Sequence, residues 1–352
     1  MTLITYPTRA HFADDVLEEA LFSELERIDH KSALLIAGIS NNSTDFEERV
    51  LAGLPRQTQH TLLYFEDRED KIPVTDLSSF AKSKLDDMQD GPQIDVIIAF
   101  GSARAIELGR KCRRILSERQ KHRLPFFAIP GWDGLPNPCM RQIESWLTGL
   151  PTVLICDPTV ALGTMPERNL RACVLSLVRC IESYLANAFN PPADGMALDG
   201  LQRCIKSIPK IGQSSDLKLQ RDLMAACLNA AMAQEKGIGP SLTLVNALEA
   251  GSHSVQTADA ARLILPKVLR ERELDADKSA VLRQLFHKEH SHASAPGNLA
   301  DVIDWCLPDS PLAPRLADMG LTNSDLTKAA HNVAGQAGFN YDQARAVLDA
   351  VY

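Results

Sequence analysis

The sequence lacks three features, and each absence excludes a class of protein. No apolar run reaches the roughly 20 residues that a helix needs to cross a bilayer, so we expect no membrane-spanning segment. The formal net charge of −8 argues against a general nucleic-acid binder, because neutralising phosphates requires a basic face. The first residues contain no basic region followed by an apolar core, so we expect no secretory signal.

The cysteines lack any spacing that would indicate a redox or metal motif. All eight are scattered and none forms a CxxC pair. Scattered cysteines in a chain of this length are typical of reduced, mostly buried thiols and favour a cytoplasmic location. Cys173 and Cys180 lie seven residues apart on one predicted helix. We expect them in the core, because two helical turns exceed disulfide reach.

The chain does contain the composition of a folded protein. Hydrophobic residues make up 45% and charged residues 23% of its 352 residues, which are values typical of globular proteins. This length is enough for two domains of ordinary size. We therefore expect a protein that acts on small molecules or on protein partners.

The first half of the chain alternates strand-like and helix-like segments. Its short apolar runs are rich in Ile, Val, Leu and Phe and do not alternate with polar residues, as expected of strands covered on both faces of a parallel sheet. These runs are residues 32–39, 60–65, 95–100, 125–129 and 152–156. Helix-like stretches such as 43–54, 76–88 and 103–120 separate them, which predicts right-handed βαβ units.

After Asp157 the pattern becomes helical throughout. Apolar residues recur at three-to-four spacing, and strand-like runs disappear. The predicted helical segments are residues 166–188, 193–208, 217–237, 242–250, 258–272, 299–306, 310–319, 323–336 and 341–351. We predict a polar loop at 288–298, an α/β domain of the dinucleotide-binding type at 1–158, and an all-α domain at 159–352.

One candidate site is the turn that follows the apolar run 95–100. Gly101 lets the backbone turn without a Cβ clash, Ser102 can cap the next helix, and Arg104 adds a positive charge. The free N–H groups and the dipole at a helix start suit a phosphate. An ordinary strand-to-helix turn with a serine cap is the competing interpretation.

A second candidate is the histidine group His287, His290 and His292. Imidazole suits transition metals, so these side chains could form a metal site. Incidental histidines in a surface loop are the competing interpretation.

Several segments carry a resemblance to one family. LPTVLICDPTVALGTMPERNL at 150–170, IESYLANAFNPPADGMA at 181–197 and LILP at 263–266 resemble the central and helical segments of the iron-containing alcohol dehydrogenase family. The opening YPTRAHF resembles its first strand, and AFGSARAIELGRK lies where its glycine-rich phosphate turn falls. The nearest likeness within the family is maleylacetate reductase.

This resemblance implies a dehydroquinate-synthase-like two-domain architecture, in which a Rossmann-like domain faces a helical domain across a cleft. In the family the cleft holds NAD(P) and a divalent metal that polarises the substrate oxygen. The family's metal ligands are an Asp and a His four residues apart on one helix and two later histidines. At the matching positions this chain has Leu175, Arg179, Thr243 and Thr257.

Leu and Arg cannot ligate a divalent ion, and one histidine nearby cannot hold it. The nearby alternatives to the two threonines are Asn246 and His253, and a further active-site histidine position falls on Ala247. We therefore expect no family-type metal. The cofactor turn also departs from the family's three glycines and serine. Ser102 and Ala103 stand where the second and third glycines would allow close approach of a pyrophosphate, and Arg104 stands at the serine position.

Three functions remain open at the level of sequence. The first is a metal-free oxidoreductase of small carbonyl or alcohol substrates, with Arg179 and His253 as catalytic groups and NAD(P) held at Gly101, Ser102 and Arg104. The second is a pseudoenzyme that serves as a binding or assembly module. The third is an enzyme of different chemistry on a phosphorylated or carboxylated metabolite. Arg179 would pair either with a substrate carboxylate or with Glu182, and the family resemblance implies a homodimer.

Overall fold

The structure is a computed structural model of the whole chain. It describes residues 4, 6–39, 44–66, 77–88, 91–131, 150–213, 216–252, 255–289, 297–307 and 312–352. The chain divides into two compact units. A sheet unit comprises Leu3–Thr164 and Ser215–Met224, and a helical unit comprises Met1–Thr2, Met165–Ser214 and Ala225–Tyr352.

The sheet unit contains a parallel sheet with helices between its strands. Its described strands are β1 (Arg9–Phe12), β2 (Ser32–Ile39), β3 (Gln59–Glu66), β4 (Val96–Gly101), β5 (Phe126–Pro130) and β6 (Val153–Cys156). Its described helices are α1 (Leu17–Glu26), α2 (Thr44–Ala52), α3 (Leu77–Asp87) and α4 (Ala103–Gln120). The strand order is β1-β6-β5-β4-β2-β3, and every neighbouring pair is parallel.

The apolar runs of the sequence form the centre of this sheet. Every residue of β4, β5 and β6 is buried. One core cluster joins the inward side chains of α1, such as Leu17 and Leu21, to those of β2 and β4, such as Leu35 and Ile98. Burial on both faces explains why these strands carry no polar alternation, and the predicted α/β class is confirmed.

The strand order creates a switch point between β2 and β4. From β2 the chain passes to β3 on one side, and then returns to β4 on the other side of β2. Connections on the two sides of such a point leave a crevice beyond the carboxyl ends of the strands, where ligands of α/β sheets bind. The fold therefore places the turn after β4 at the edge where a ligand is expected.

Asp157 ties the end of β6 to two helices of the sheet unit. Its buried carboxylate accepts hydrogen bonds from the backbone N–H groups of Asp15 (3.0 Å), Leu17 (3.2 Å) and Thr159 (2.9 Å). The Arg49 guanidinium of α2 donates to the same carboxylate at 2.9 Å. One side chain therefore anchors the start of α1, the side of α2 and the turn after β6.

The helical unit consists of helices joined by short connections in the part of the chain described. They are α5 (Pro166–Leu185), α6 (Pro191–Ser207), α7 (Leu217–Ala233), α8 (Pro240–Gly251), α9 (Thr257–Arg270), α10 (Ala276–Glu289), α11 (Leu299–Cys306), α12 (Asn323–Val333) and α13 (Tyr341–Asp349). The first residues of α7 cluster with the sheet unit. Among these described helices, none is both long and apolar enough to cross a membrane.

One predicted helix was wrong. In place of a helix at 310–319, the described residues show only the short 3₁₀ turn Leu316–Met319. Pro311 and Pro314 interrupt the predicted segment, and proline both lacks an N–H and disfavours the helical conformation of the residue before it. The apolar residues have helical spacing, but the two prolines prevent a continuous helix.

Candidate functional site

Glycine residues lie at the ends of three strands beside the switch point. Gly38 is the next-to-last residue of β2, Gly101 ends β4, and Gly131 follows β5. The carbonyl of Gly101 accepts a 2.7 Å hydrogen bond from the N–H of Gly131, and Gly101 has a φ of +97° that favours glycine. A Cβ on Gly38 would lie 2.8 Å from the Ser102 hydroxyl oxygen, so this edge depends on glycine for its close packing.

Helix α4 begins directly at this edge. The fully buried Ser102 is its N-cap, and the Ser102 hydroxyl oxygen accepts a 3.1 Å hydrogen bond from the N–H of Ala105. Arg104 lies in the first turn and is half-buried. The positive end of the α4 dipole and the Arg104 guanidinium therefore belong to the same turn, an arrangement that attracts an anionic group such as a phosphate.

The structure thus brings Gly101, Ser102 and Arg104 together, as the sequence indicated. Ser102 does act as a helix cap, which the competing interpretation also required. Their part in cofactor binding stays a prediction. The segment after Gly131, including Trp132, lies outside the described residues.

In the helical unit, three helices carry the positions where the resembled family has its metal ligands. Leu175 and Arg179 lie four residues apart on α5, and both are half-buried. Thr243 lies on α8 and Thr257 begins α9. Helices α5, α8 and α9 pack against one another.

These side chains do not fit a divalent metal. Leu175 has no donor atom, and the guanidinium of Arg179 is a cation that would repel the ion. The Thr243 hydroxyl donates to the Gly239 carbonyl at 2.9 Å, and the Thr257 hydroxyl donates to the Glu249 carboxylate. Within the described ranges, no group of three or more His, Cys, Asp or Glu side chains could hold a metal ion.

Glu249 is a site residue that sequence reasoning missed. It lies on α8, its carboxylate accepts a hydrogen bond from the Thr257 hydroxyl of α9, and the charge of Arg179 on α5 acts on it. Burial raises the pKa of Glu249, while the Thr257 hydrogen bond and the Arg179 charge act in the opposite direction. Nothing in the local sequence LVNALEAG distinguishes this glutamate from a solvent-facing one, because its partners come from two other helices.

Glu182, the predicted alternative partner of Arg179, is engaged elsewhere. Its buried carboxylate accepts hydrogen bonds from the N–H groups of Ser241 (2.6 Å) and Leu242 (3.4 Å) and so caps the start of α8. A Cβ on Gly239 would collide with this carboxylate. Burial raises the pKa of Glu182 to about 7, against these hydrogen bonds and the charge of Arg272. Glu182 therefore has a structural role.

The remaining candidates are only partly described. His253, His290 and His292 lie outside the described residues, while His287 is exposed near the end of α10. Cys173 and Cys180 are fully buried on α5, which confirms their predicted place in the core. Cys173 donates to the Cys204 carbonyl at 3.6 Å, and Cys180 packs beneath Gly200.

A family comparison matches the helical half. Residues 172–350, just over half of the chain, match the model of the C-terminal part of the Fe-containing alcohol dehydrogenase family. The 4-hydroxybutyrate dehydrogenase of Cupriavidus necator is 36% identical over 141 residues, which cover 38% of this chain and 36% of that protein. The probable alcohol dehydrogenase EutG of Salmonella typhimurium is 23% identical over 254 residues, which cover 64% of this chain and 63% of that protein. The chain thus spans less than two thirds of either relative's length.

Solved structures share the fold over nearly the whole chain. An alcohol dehydrogenase from Oenococcus oeni has a TM-score of 0.78 at 15% identity and covers 98% of both chains. Maleylacetate reductase from Rhizobium sp. strain MTP-10005 has a TM-score of 0.74 at 19% identity and covers 100% of this chain and 97% of its own. Sulfoacetaldehyde reductase from Bifidobacterium kashiwanohense in complex with NAD+ has a TM-score of 0.74 at 16% identity, with coverages of 100% and 99%. At these identities the likeness is one of fold.

Proposed function

Because the chain belongs to the iron-containing alcohol dehydrogenase family, we propose that it is an NAD(P)-dependent oxidoreductase of small carbonyl or alcohol substrates that works without the family's metal. One observation carries the proposal. The chain shares its fold with solved dehydrogenases and reductases, and the positions that its sequence resemblance matches to the family's ligands are Leu175, Arg179, Thr243 and Thr257. The chain therefore carries a cation, the Arg179 guanidinium, at a position where the family binds a divalent metal ion.

The cofactor would be held at the turn between β4 and α4. The α4 dipole and the Arg104 guanidinium would attract the pyrophosphate, and Gly101 keeps the strand end free of a side chain. Bound NAD(P) would supply or accept a hydride. The side chains of Ser102 and Ala103 would narrow the approach of the pyrophosphate to the backbone, so Arg104 would provide direct contacts in place of backbone N–H groups.

Arg179 would stabilise the oxygen of the substrate. In the reduction of a carbonyl group, negative charge develops on this oxygen as the hydride arrives. A guanidinium presents several N–H donors in a fixed plane and stays charged at all physiological pH values. His253, outside the described residues, is the proposed acid that exchanges a proton with the same oxygen. The protein is further proposed to be a cytoplasmic homodimer that acts on a small-molecule ligand.

The proposal is tested by calorimetric titration of NAD(H) and NADP(H) into the purified protein after dialysis against a chelator. We expect saturable binding with a Kd below about 1 mM, and we expect Arg104→Gln to weaken it at least about tenfold. The matched control is Arg114→Gln, further along α4, where the side chain pairs with Glu118. This control should bind as the wild type does.

Two outcomes would contradict the proposal. If no nicotinamide nucleotide binds, the protein is a binding or assembly module or an enzyme of different chemistry. If stoichiometric zinc or iron survives the dialysis, the metal-free part is wrong.

A further inference from the structure

Arg179, Glu249 and Thr257 lie on three different helices that pack against one another. Arg179 comes from α5, Glu249 from α8 and Thr257 from the first turn of α9. The Thr257 hydroxyl donates to the Glu249 carboxylate, and the charge of Arg179 acts on the same carboxylate. A cation, an anion and a hydroxyl from distant parts of the chain therefore form one cluster.

Of these groups, Arg179 is the cation that a small anion would recognise. All three side chains are half-buried, so a small ligand can reach them, while solvent screening is weaker than at an open surface. A guanidinium binds a carboxylate through two parallel N–H···O hydrogen bonds. Glu249 is itself a carboxylate on which the Arg179 charge acts, and so it has the chemistry of the ligand that Arg179 would bind.

We propose that Arg179, Glu249 and Thr257 form a binding site for the carboxylate of a small organic acid, and that Glu249 is the resident counter-charge with which this ligand competes. When a ligand carboxylate approaches Arg179, the Thr257 hydroxyl can donate to it instead of to Glu249. As a statement about substrate class, this inference rests on the proposed function. Anion binding itself is measured without cofactor or turnover.

The charges around Glu249 define how the site responds to pH. The Arg179 charge acts on the Glu249 carboxyl, and Thr257 contributes a neutral hydroxyl. Burial already raises the pKa of Glu249. Protonation of Glu249 removes its negative charge, so the affinity for an anion increases as the pH falls.

The test is calorimetric titration of succinate into the protein without nucleotide. The wild type should bind succinate, and Arg179→Gln should weaken binding at least about tenfold. Arg179→Lys keeps the positive charge without the planar guanidinium and should give an intermediate affinity. It replaces Arg179→Gln in the test if the glutamine variant does not fold. The matched control is Arg203→Gln on α6, where the exposed side chain pairs with Asp199, and it should leave succinate binding unchanged.

Glu249→Gln supplies a result that a merely structural role cannot produce. Removing the competing negative charge should tighten succinate binding several-fold, by roughly 5-fold at neutral pH. It should also abolish the increase in affinity that the wild type shows as the pH falls. Glu271→Gln, an exposed carboxylate just after α9, is the control and should keep the wild-type affinity and pH dependence.

The inference is overturned if succinate does not bind the wild type, if Arg179→Gln binds it equally well, or if Glu249→Gln binds it more weakly. Succinate binding without any binding of nicotinamide nucleotides would support this site while contradicting the proposed oxidoreductase. Nucleotide binding without succinate binding would do the reverse. The two proposals therefore fail separately.

Discussion

At the scale of single residues, two glutamates of the helical unit have different partners. Glu182 accepts hydrogen bonds from backbone N–H groups at the start of α8, whereas Glu249 accepts one from the Thr257 hydroxyl. Leu175 and Arg179 cannot ligate a divalent ion, and this follows from residue type alone. Glu249 could not be found in the same way, because its role depends on Thr257 and Arg179, which reach it through packing of three helices. The sequence identified Glu182 as a possible partner of Arg179 but could not predict its role, because its partners are backbone N–H groups at the start of α8.

Glu182 also makes a prediction about stability. Burial raises its pKa from an ordinary 4.5 to about 7, so the folded chain keeps a proton that the unfolded chain releases. The free energy of unfolding should therefore decrease as the pH rises from about 4.5 to about 7, by up to roughly 3 kcal/mol. Glu182→Gln, which is neutral throughout, should lose this contribution, as measured by urea unfolding across that range.

The control for this measurement is Glu273→Gln, an exposed carboxylate after α9. It should retain the wild-type dependence on pH. If Glu182→Gln and the wild type show the same slope of unfolding free energy against pH, the carboxyl of Glu182 titrates normally in the folded chain.

At the scale of elements, apolar runs predicted the strands because these strands are buried on both faces. The predicted runs 32–39 and 152–156 match β2 and β6 to within one residue at each end. The helix predicted at 310–319 failed because apolar spacing ignores the effect of Pro311 and Pro314 on the backbone. Local composition therefore fixes an element only where the backbone can adopt it.

Asp157 gives the prediction that belongs to this scale. Its carboxylate satisfies backbone N–H groups at the start of α1 and after β6 and pairs with Arg49 of α2. Asp157→Ala would leave these N–H groups without their acceptor and would remove one of the partners of the Arg49 guanidinium, which also donates to Glu18. We expect it to lower the free energy of unfolding by roughly 3 kcal/mol, measured by chemical denaturation.

Asp29→Ala, an exposed aspartate after α1, should change this free energy by less than about 0.5 kcal/mol. A similarly small effect of Asp157→Ala would mean that Asp157 does not anchor these elements.

At the scale of the whole molecule, the change from alternating elements to helices predicted the architecture. The confirmed result is a parallel α/β part followed by a helical part, in a chain of the iron-containing alcohol dehydrogenase family. The strand order could not be predicted from local patterns, because it depends on the side of β2 on which each following strand pairs. The activity could not be read from them either, because function depends on the residues of a site and not on the fold.

The most direct test of the central claim is NAD(P)+-dependent oxidation of a panel of small alcohols, before and after removal of metals by a chelator. The account predicts turnover that chelation changes by less than about twofold, and that Arg179→Gln reduces at least about 100-fold. Turnover that chelation abolishes and added zinc or iron restores would contradict it.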